Sequence, residues 1–397
     1  MRAVETDTLL AVRASRVFDG NRGFGPSTVL IGAGRIVDVD TTGATPPAHA
    51  EVLELGRDVC LLPGLIDAHV HLAFDASGDV VAGLAALDDG QLLAQMAQAA
   101  RRALRAGITT VRDLGDRSFL ALRLREQLDA WGDPGPQIIA SGPPITIRGG
   151  HSQFLGGVAT GAQELRARIR QRAEQGCEVV KVMVSGGHLA SSNSPYESQY
   201  DLADLRLIVA EAHQLGLSTA AHVHTPRSIA DAVTAGFDTL EHVTFVTPDG
   251  VAADPATMTA IVESGAVVSA PVGDVPGAGE TPASIARSLE IMIESWARLH
   301  SNGARIVPGT DAGITPSKPH DVLPHGLTAL CGLGMTNLEA LRAATSVAAA
   351  ACGLTGRKGR LAPGADADLL AVTGDPLADI RAIHDVVAVI RAGRRVR

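Results

Sequence analysis

A chain of 397 residues is long enough for one large catalytic domain with a small one beside it. Its formal net charge of −9, with no lysine- or arginine-rich run, argues against a nucleic-acid partner, which would call for a basic face. Hydrophobic residues make up 46% of the chain but aromatics only 3%, which favours buried parallel strands and closely packed helices over an aromatic-rich sandwich.

Met1 to Val17 carries charges throughout and lacks the apolar core of a secretory signal. No apolar run further along approaches the ~20 residues of a membrane span, so a cytoplasmic protein without a membrane partner is expected. Residues 8 to 60 read as short strands between turns: Thr8–Arg16, then Thr28–Ile31 and Arg35–Val39 around a Gly32-Ala33-Gly34 hairpin turn, then Glu51–Leu55. The far end is similar, with strands expected at Ala367–Val372 and Val386–Arg391. Neither end has enough strands for a stable sheet alone. We therefore expect residues 1–60 and 360–397 to form one small β-sandwich domain, with residues 61–359 inserted as a second domain.

The middle has a regular rhythm in which a helical stretch ends in glycine and an apolar β-branched run follows. Gly107, Gly176, Gly216, Gly236, Gly265 and Gly303 occupy the helix-ending position. Together with an opening strand over 61–71 and another at Gln137–Ser141, this makes eight strands alternating with helices. The fold class expected is α/β, a (β/α)8 TIM-like barrel. An open doubly wound sheet is the competitor, but no Gly-rich phosphate loop follows the first strand. The cysteines Cys60, Cys177, Cys331 and Cys352 form no C-x-x-C pair and read as core thiols of a reducing compartment.

The active site of such a barrel lies at the C-terminal ends of its strands. The first ends in His69-Val70-His71, whose imidazoles share a face because residues two apart on a strand do. The fourth, Glu178–Val184, carries Lys181 in the middle of an apolar run, where an unpaired ammonium costs several kcal/mol. The fifth ends in His222-Val223-His224, the sixth in Glu241-His242, and the eighth in Gly309-Thr310-Asp311. Four of these imidazoles with one carboxylate and the lysine already exceed one tetrahedral zinc shell, which points to two metal ions. Asp67, deeper on the first strand, reads as a structural partner to a neighbouring strand. His213, His300, His320, His325 and His384 read as non-ligands; His320 and His325 follow Asp311 closely enough to edge the pocket, but surface or capping roles are expected of them.

With Pro63-Gly64-Leu65-Ile66-Asp67-Ala68-His69-Val70-His71, Gly309-Thr310-Asp311-Ala312-Gly313 and Pro363-Gly364-Ala365-Asp366-Ala367-Asp368-Leu369, the chain resembles the amidohydrolase superfamily over nearly its whole length. Thr109–Gly115, Gly149-Gly150-His151 and Lys181–Gly187 make it most similar to the imidazolonepropionase-related and Xaa-Pro-dipeptidase-like members of the binuclear branch. That resemblance implies a carboxylated Lys181, a carbamate derived from carbon dioxide, bridging two divalent ions, most simply Zn2+. It implies that His69, His71 and Asp311 bind one ion and His222 and His242 the other, and that His151 contacts substrate. The chain departs from its relatives at Ser152-Gln153-Phe154, at His224 (where some carry a substrate-binding tyrosine), and in the loop from His188 to Tyr200.

The expected function is hydrolysis of an amide-type C–N bond, in an N-acyl amino acid, a dipeptide or a related small amide, by a metal-bridging hydroxide. Asp311 would pass the proton to the leaving nitrogen. His151 and His224 would contact the small-molecule substrate. A cyclic-amide or lactone hydrolase, a deaminase and a biosynthetic lyase are the alternatives on this scaffold. His222 lacks the following glutamate common in the mononuclear deaminases. A metal-binding scaffold without turnover is disfavoured because all six ligands are present. Homo-oligomerisation is left open.

Overall fold

The computed structural model describes residues 9–131, 135–187, 189, 196–278 and 283–397. The first eight residues, His188 and residues 190–195 of the loop singled out above lie outside them.

The opening apolar run is two strands. Val59–Pro63 pairs antiparallel with Leu369–Thr373 in a six-stranded sheet, and only Leu65–Val70 enters the parallel barrel array. Gly64 marks the switch, because a Cβ there would lie 2.1 Å from Thr109 Oγ1. The strand Val59–Pro63 therefore runs across the boundary expected at residue 60.

The parallel strands fall into two sheets. Leu65–Val70, Ile108–Asp113 and Gln137–Ala140 form a three-stranded sheet. Val179–Met183, Ser218–Val223, Thr239–His242, Val267–Ala270 and Arg305–Pro308 form a five-stranded one, paired in chain order. The array is TIM-barrel-like, but the ladder is not continuous around it. At one seam, Pro143 and Pro144 have no N–H to offer, and pairing resumes only at Ile145, whose N–H donates to the Lys181 carbonyl at 2.8 Å. At the other, the eighth strand stops at Pro308. Gly309 then passes so close to the first strand that a Cβ would lie 2.7 Å from that of His69. Beyond it, Asp311 N–H donates to the His69 carbonyl at 2.9 Å, and His71 N–H to the Ala312 carbonyl at 2.9 Å. Asp67 fastens this seam by accepting Thr310 Oγ1–H at 2.6 Å, the structural role expected of it.

Helices alternate with these strands, and Gly176 and Gly236 end two of them in the left-handed conformation, at φ 85° and 88°. Inward residues Ile66, Ala68, Ile139, Val179, Ala220, Val267 and Val307 pack against Ala348–Leu354, giving the barrel a filled interior.

The chain ends contribute two further sheets. One has four strands, ordered Arg35–Asp40, Ser27–Gly32, Leu10–Ala14 and Glu51–Glu54. The other has six: Arg394–Arg395, Val386–Arg391, Leu369–Thr373, Val59–Pro63, Arg16–Phe18 and Gly23–Phe24. Val12, Val29, Ile31 and Ile36 of the first pack with Leu61, Leu369, Ala371 and Ile390 of the second in a shared buried cluster. No helix among the described residues is long and apolar enough to cross a membrane.

Candidate active site

The ionisable residues at the C-terminal ends of the strands gather into two clusters. His69, His71 and Asp311 form one, and His222, His224 and His242 the other; within each, one ligand-capable atom per residue lies within 4.8 Å of the rest. In the first, Asp311 Oδ1 is 3.6 Å from His69 Nε2 and 3.3 Å from His71 Nε2. Burial alone would raise the Asp311 carboxyl, but His69 and His71 outweigh it and hold the group well below the usual carboxylate range.

The backbone sets both clusters up. Asp311 has φ 60° and His242 φ 72°, left-handed values uncommon for residues with side chains. The indole of Trp296 stabilises the second of these turns, donating to the His242 carbonyl at 2.9 Å and the Val243 carbonyl at 3.1 Å. His71 is oriented by its own neighbours. Asp113 Oδ1 accepts the Gly115 N–H at 3.1 Å, and the Gly115 carbonyl meets His71 Nδ1 at 3.2 Å, so Nε2 is left facing Asp311.

Lys181 is fully buried, and its Nζ has no hydrogen-bond partner among the described residues. Burial brings its ammonium down to about 8. It lies within electrostatic reach of His69 in one cluster and of His222 and His242 in the other. His222 Nε2 is a second buried atom without a partner, and burial pushes that imidazole well below its ordinary value. An orphaned buried polar atom costs about 1–3 kcal/mol, so two in one mouth need an external partner.

His151 also reaches the site. Its ring stacks on His222 with centroids 4.5 Å apart, and its Nδ1 is buried without a partner. Gln199 holds it there, accepting the His151 N–H at 2.7 Å and donating to the Met183 carbonyl at 2.5 Å. His224 packs 4.5 Å from His222 and 4.8 Å from His242, centroid to centroid, with Nδ1 2.9 Å from Thr244 Oγ1. The structure thus brings all eight expected site residues together and places His224 in the second cluster as its third imidazole.

Three features escaped the sequence reading. Glu241 Oε2 lies 3.0 Å from His69 Nδ1, a hydrogen-bond distance but at an angle too bent for a formed hydrogen bond. Arg112, also fully buried, donates to Glu241 Oε1 at 3.0 Å and to the Ala68 carbonyl at 2.6 Å. His320 is buried rather than at the surface, with Nε2 3.1 Å from the carbonyl oxygen of His71. The only sequence signal for the first two was a charged residue near the C-terminal end of an expected strand.

A model of the amidohydrolase family matches residues 60–396. Ochratoxinase of Aspergillus niger is 29% identical over 372 residues, spanning 83% of this chain and 73% of that protein. A prolidase complexed with N-methylphosphonate-L-proline matches with a TM-score of 0.85 and 27% identity, over 98% of this chain and 100% of that one. A Xaa-Pro dipeptidase with methionine bound in its active site matches with a TM-score of 0.87, over 98% and 100% of the two chains; at 24% identity this likeness speaks for the fold. The chain therefore belongs to the amidohydrolase family, as a hydrolase acting on C–N bonds.

Proposed function

We propose that this protein is a metal-dependent hydrolase of small carboxylate-bearing amides, such as N-acyl amino acids or dipeptides. The observation that carries the reading is the buried, unpartnered amine of Lys181, whose charge acts on histidines of both ligand clusters. The donor set fits divalent ions of the zinc type, since imidazole and carboxylate are their usual ligands, and the orphaned atoms Lys181 Nζ and His222 Nε2 would then gain partners. His69, His71 and Asp311 would hold one ion, and His222 and His242 the other. Lys181 would serve both after its amine adds to carbon dioxide, forming an N–C bond and losing one nitrogen proton. An ammonium brought down to about 8 leaves a usable fraction of neutral amine for that step. Bound there, the ions would supply Lewis acidity toward the scissile carbonyl and the attacking water.

The chain's own groups do the rest. The Asp311 carboxylate takes the proton of the attacking water and delivers it to the departing nitrogen. An amide needs that delivery because an amine anion is too basic to leave. His151 and His224 offer imidazole nitrogens to a substrate carbonyl or carboxylate oxygen. The likenesses to ochratoxinase and to a prolidase bound to a proline derivative support a substrate of this class.

The test is metal analysis of protein reconstituted with zinc and bicarbonate, followed by a panel of N-acyl amino acids, dipeptides, lactones and aminopyrimidines. Two ions per chain and turnover of the acyl amino acids or dipeptides are expected. One ion or none, or turnover of aminopyrimidines alone, would refute the reading.

A further inference from the structure

Adjacent residues on one short strand serve different clusters. Thr239–His242 sends His242 to the cluster with His222, while the carboxylate of Glu241 faces His69 in the other. The two oxygens of that carboxylate have divided roles. Oε1 accepts from Thr239 Oγ1 at 2.7 Å and from Arg112 Nη2 at 3.0 Å. Oε2 lies 3.0 Å from His69 Nδ1, and neither of those two atoms is otherwise engaged among the described residues. Arg112 is itself anchored on the first strand, through the Ala68 carbonyl, so the guanidinium ties together the strands that carry His69 and Glu241. Both side chains are fully buried, and a buried carboxylate persists only with such a counter-charge.

We propose that Glu241 is a positioning residue, whose Oε2 accepts the Nδ1–H of His69 and so fixes Nε2 of that ring as the unprotonated, ligating nitrogen facing Asp311. The inference rests on the metal-dependent reading above and deepens it: Glu241 governs the affinity of the His69, His71 and Asp311 cluster alone, although its chain neighbour His242 belongs to the other. A carboxylate behind a ligating histidine fixes its tautomer and raises its basicity, and losing one typically lowers metal affinity 10–100-fold.

The experiment is chelator competition on full-length protein reconstituted with zinc, recording release of the two ions as separate phases. In Glu241→Gln, one phase should weaken ~10–100-fold while the other holds its wild-type value. His242→Ala should do the reverse. Glu241→Asp, which keeps the charge but shortens the reach, should weaken the same phase as Glu241→Gln, and this second variant covers the case where the first does not fold. Two unchanged phases in Glu241→Gln, or equal weakening of both together with a lower unfolding temperature of the ion-free protein, would overturn the proposal in favour of a purely structural carboxylate. A wild type that takes up no ion would instead overturn the metal-dependent reading, and this inference with it. An independent check needs no variant of Glu241. Two-bond nitrogen–proton correlations of histidine-labelled, ion-free wild type should show His69 as the Nδ1–H tautomer, its signal identified by its loss in His69→Gln. The Nε2–H tautomer there would overturn the proposal.

Discussion

Lys358 and Lys181 are both buried, yet their surroundings are opposite. Lys358 Nζ lies 3.1 Å from Asp366 Oδ2 and also bonds Asp368, whose other oxygen is 3.2 Å from Arg391. This network is centred on Asp366 and Asp368 of the Pro363–Leu369 turn, which leads back into the six-stranded sheet. Lys181, in the barrel mouth, has no hydrogen-bonding partner among the described residues. A charge buried for architecture brings its counter-charge along in the chain, whereas the Lys181 amine is placed for a partner that the chain does not encode.

Replacing each lysine should separate the two cases. Lys181→Ala should lower turnover by about 10,000-fold, equivalent to ~5.5 kcal/mol. Its ion-free unfolding temperature should stay level or rise, since an uncompensated buried amine is gone. Added short-chain carboxylic acids should restore part of the rate, and turnover at the wild-type level would break the contrast outright. Lys358→Met should do the converse. It leaves buried carboxylates underpaired and should cost about 3–5 kcal/mol in urea unfolding, while the folded fraction keeps its zinc content.

The next two expectations sharpen the picture within the barrel mouth. His151→Ala and His224→Ala should each retain two ions while kcat/KM falls by ~10–1000-fold, the loss of about 1.4–4 kcal/mol in the transition state. If His224→Ala instead loses an ion, that third imidazole is a ligand and not a substrate contact. The smallest effect is expected from Thr244→Val, which removes the hydroxyl held 2.9 Å from His224 Nδ1. One hydrogen bond worth about 1 kcal/mol corresponds to a roughly five-fold drop in kcat/KM. An unchanged value would show that His224 needs no tether.

Much of the barrel was legible because its signals are local. The helix–glycine–strand rhythm follows from backbone conformation, and His69-Val70-His71 needs only the period of a strand. The residues that escaped depend on contacts between distant strands. Nothing near Arg112 in the chain announces that Glu241, 129 residues on, will pair with it inside the barrel. The left-handed turn at His242 is likewise stabilised from outside, by Trp296 on a later helix. The run from 61 to 71 read as one strand despite the interruption of its apolar pattern at Pro63-Gly64. The break at Gly64 comes from the approach of Thr109, which belongs to another strand. The placement of His224 beside His222 and His242 is of the same kind, since an alternating strand alone does not say what its far end will meet.

The seam between the eighth and first strands has a dynamic consequence. His69 and Asp311 are joined there by a direct main-chain hydrogen bond, and His71 is joined to Ala312 by another. Thermal breathing of the barrel that spares these two bonds moves His69, His71 and Asp311 as one rigid body, with their mutual spacing preserved. The amide protons of His71 and Asp311 should accordingly be among the slowest in the barrel mouth to exchange with deuterated water, and they should exchange at a common rate.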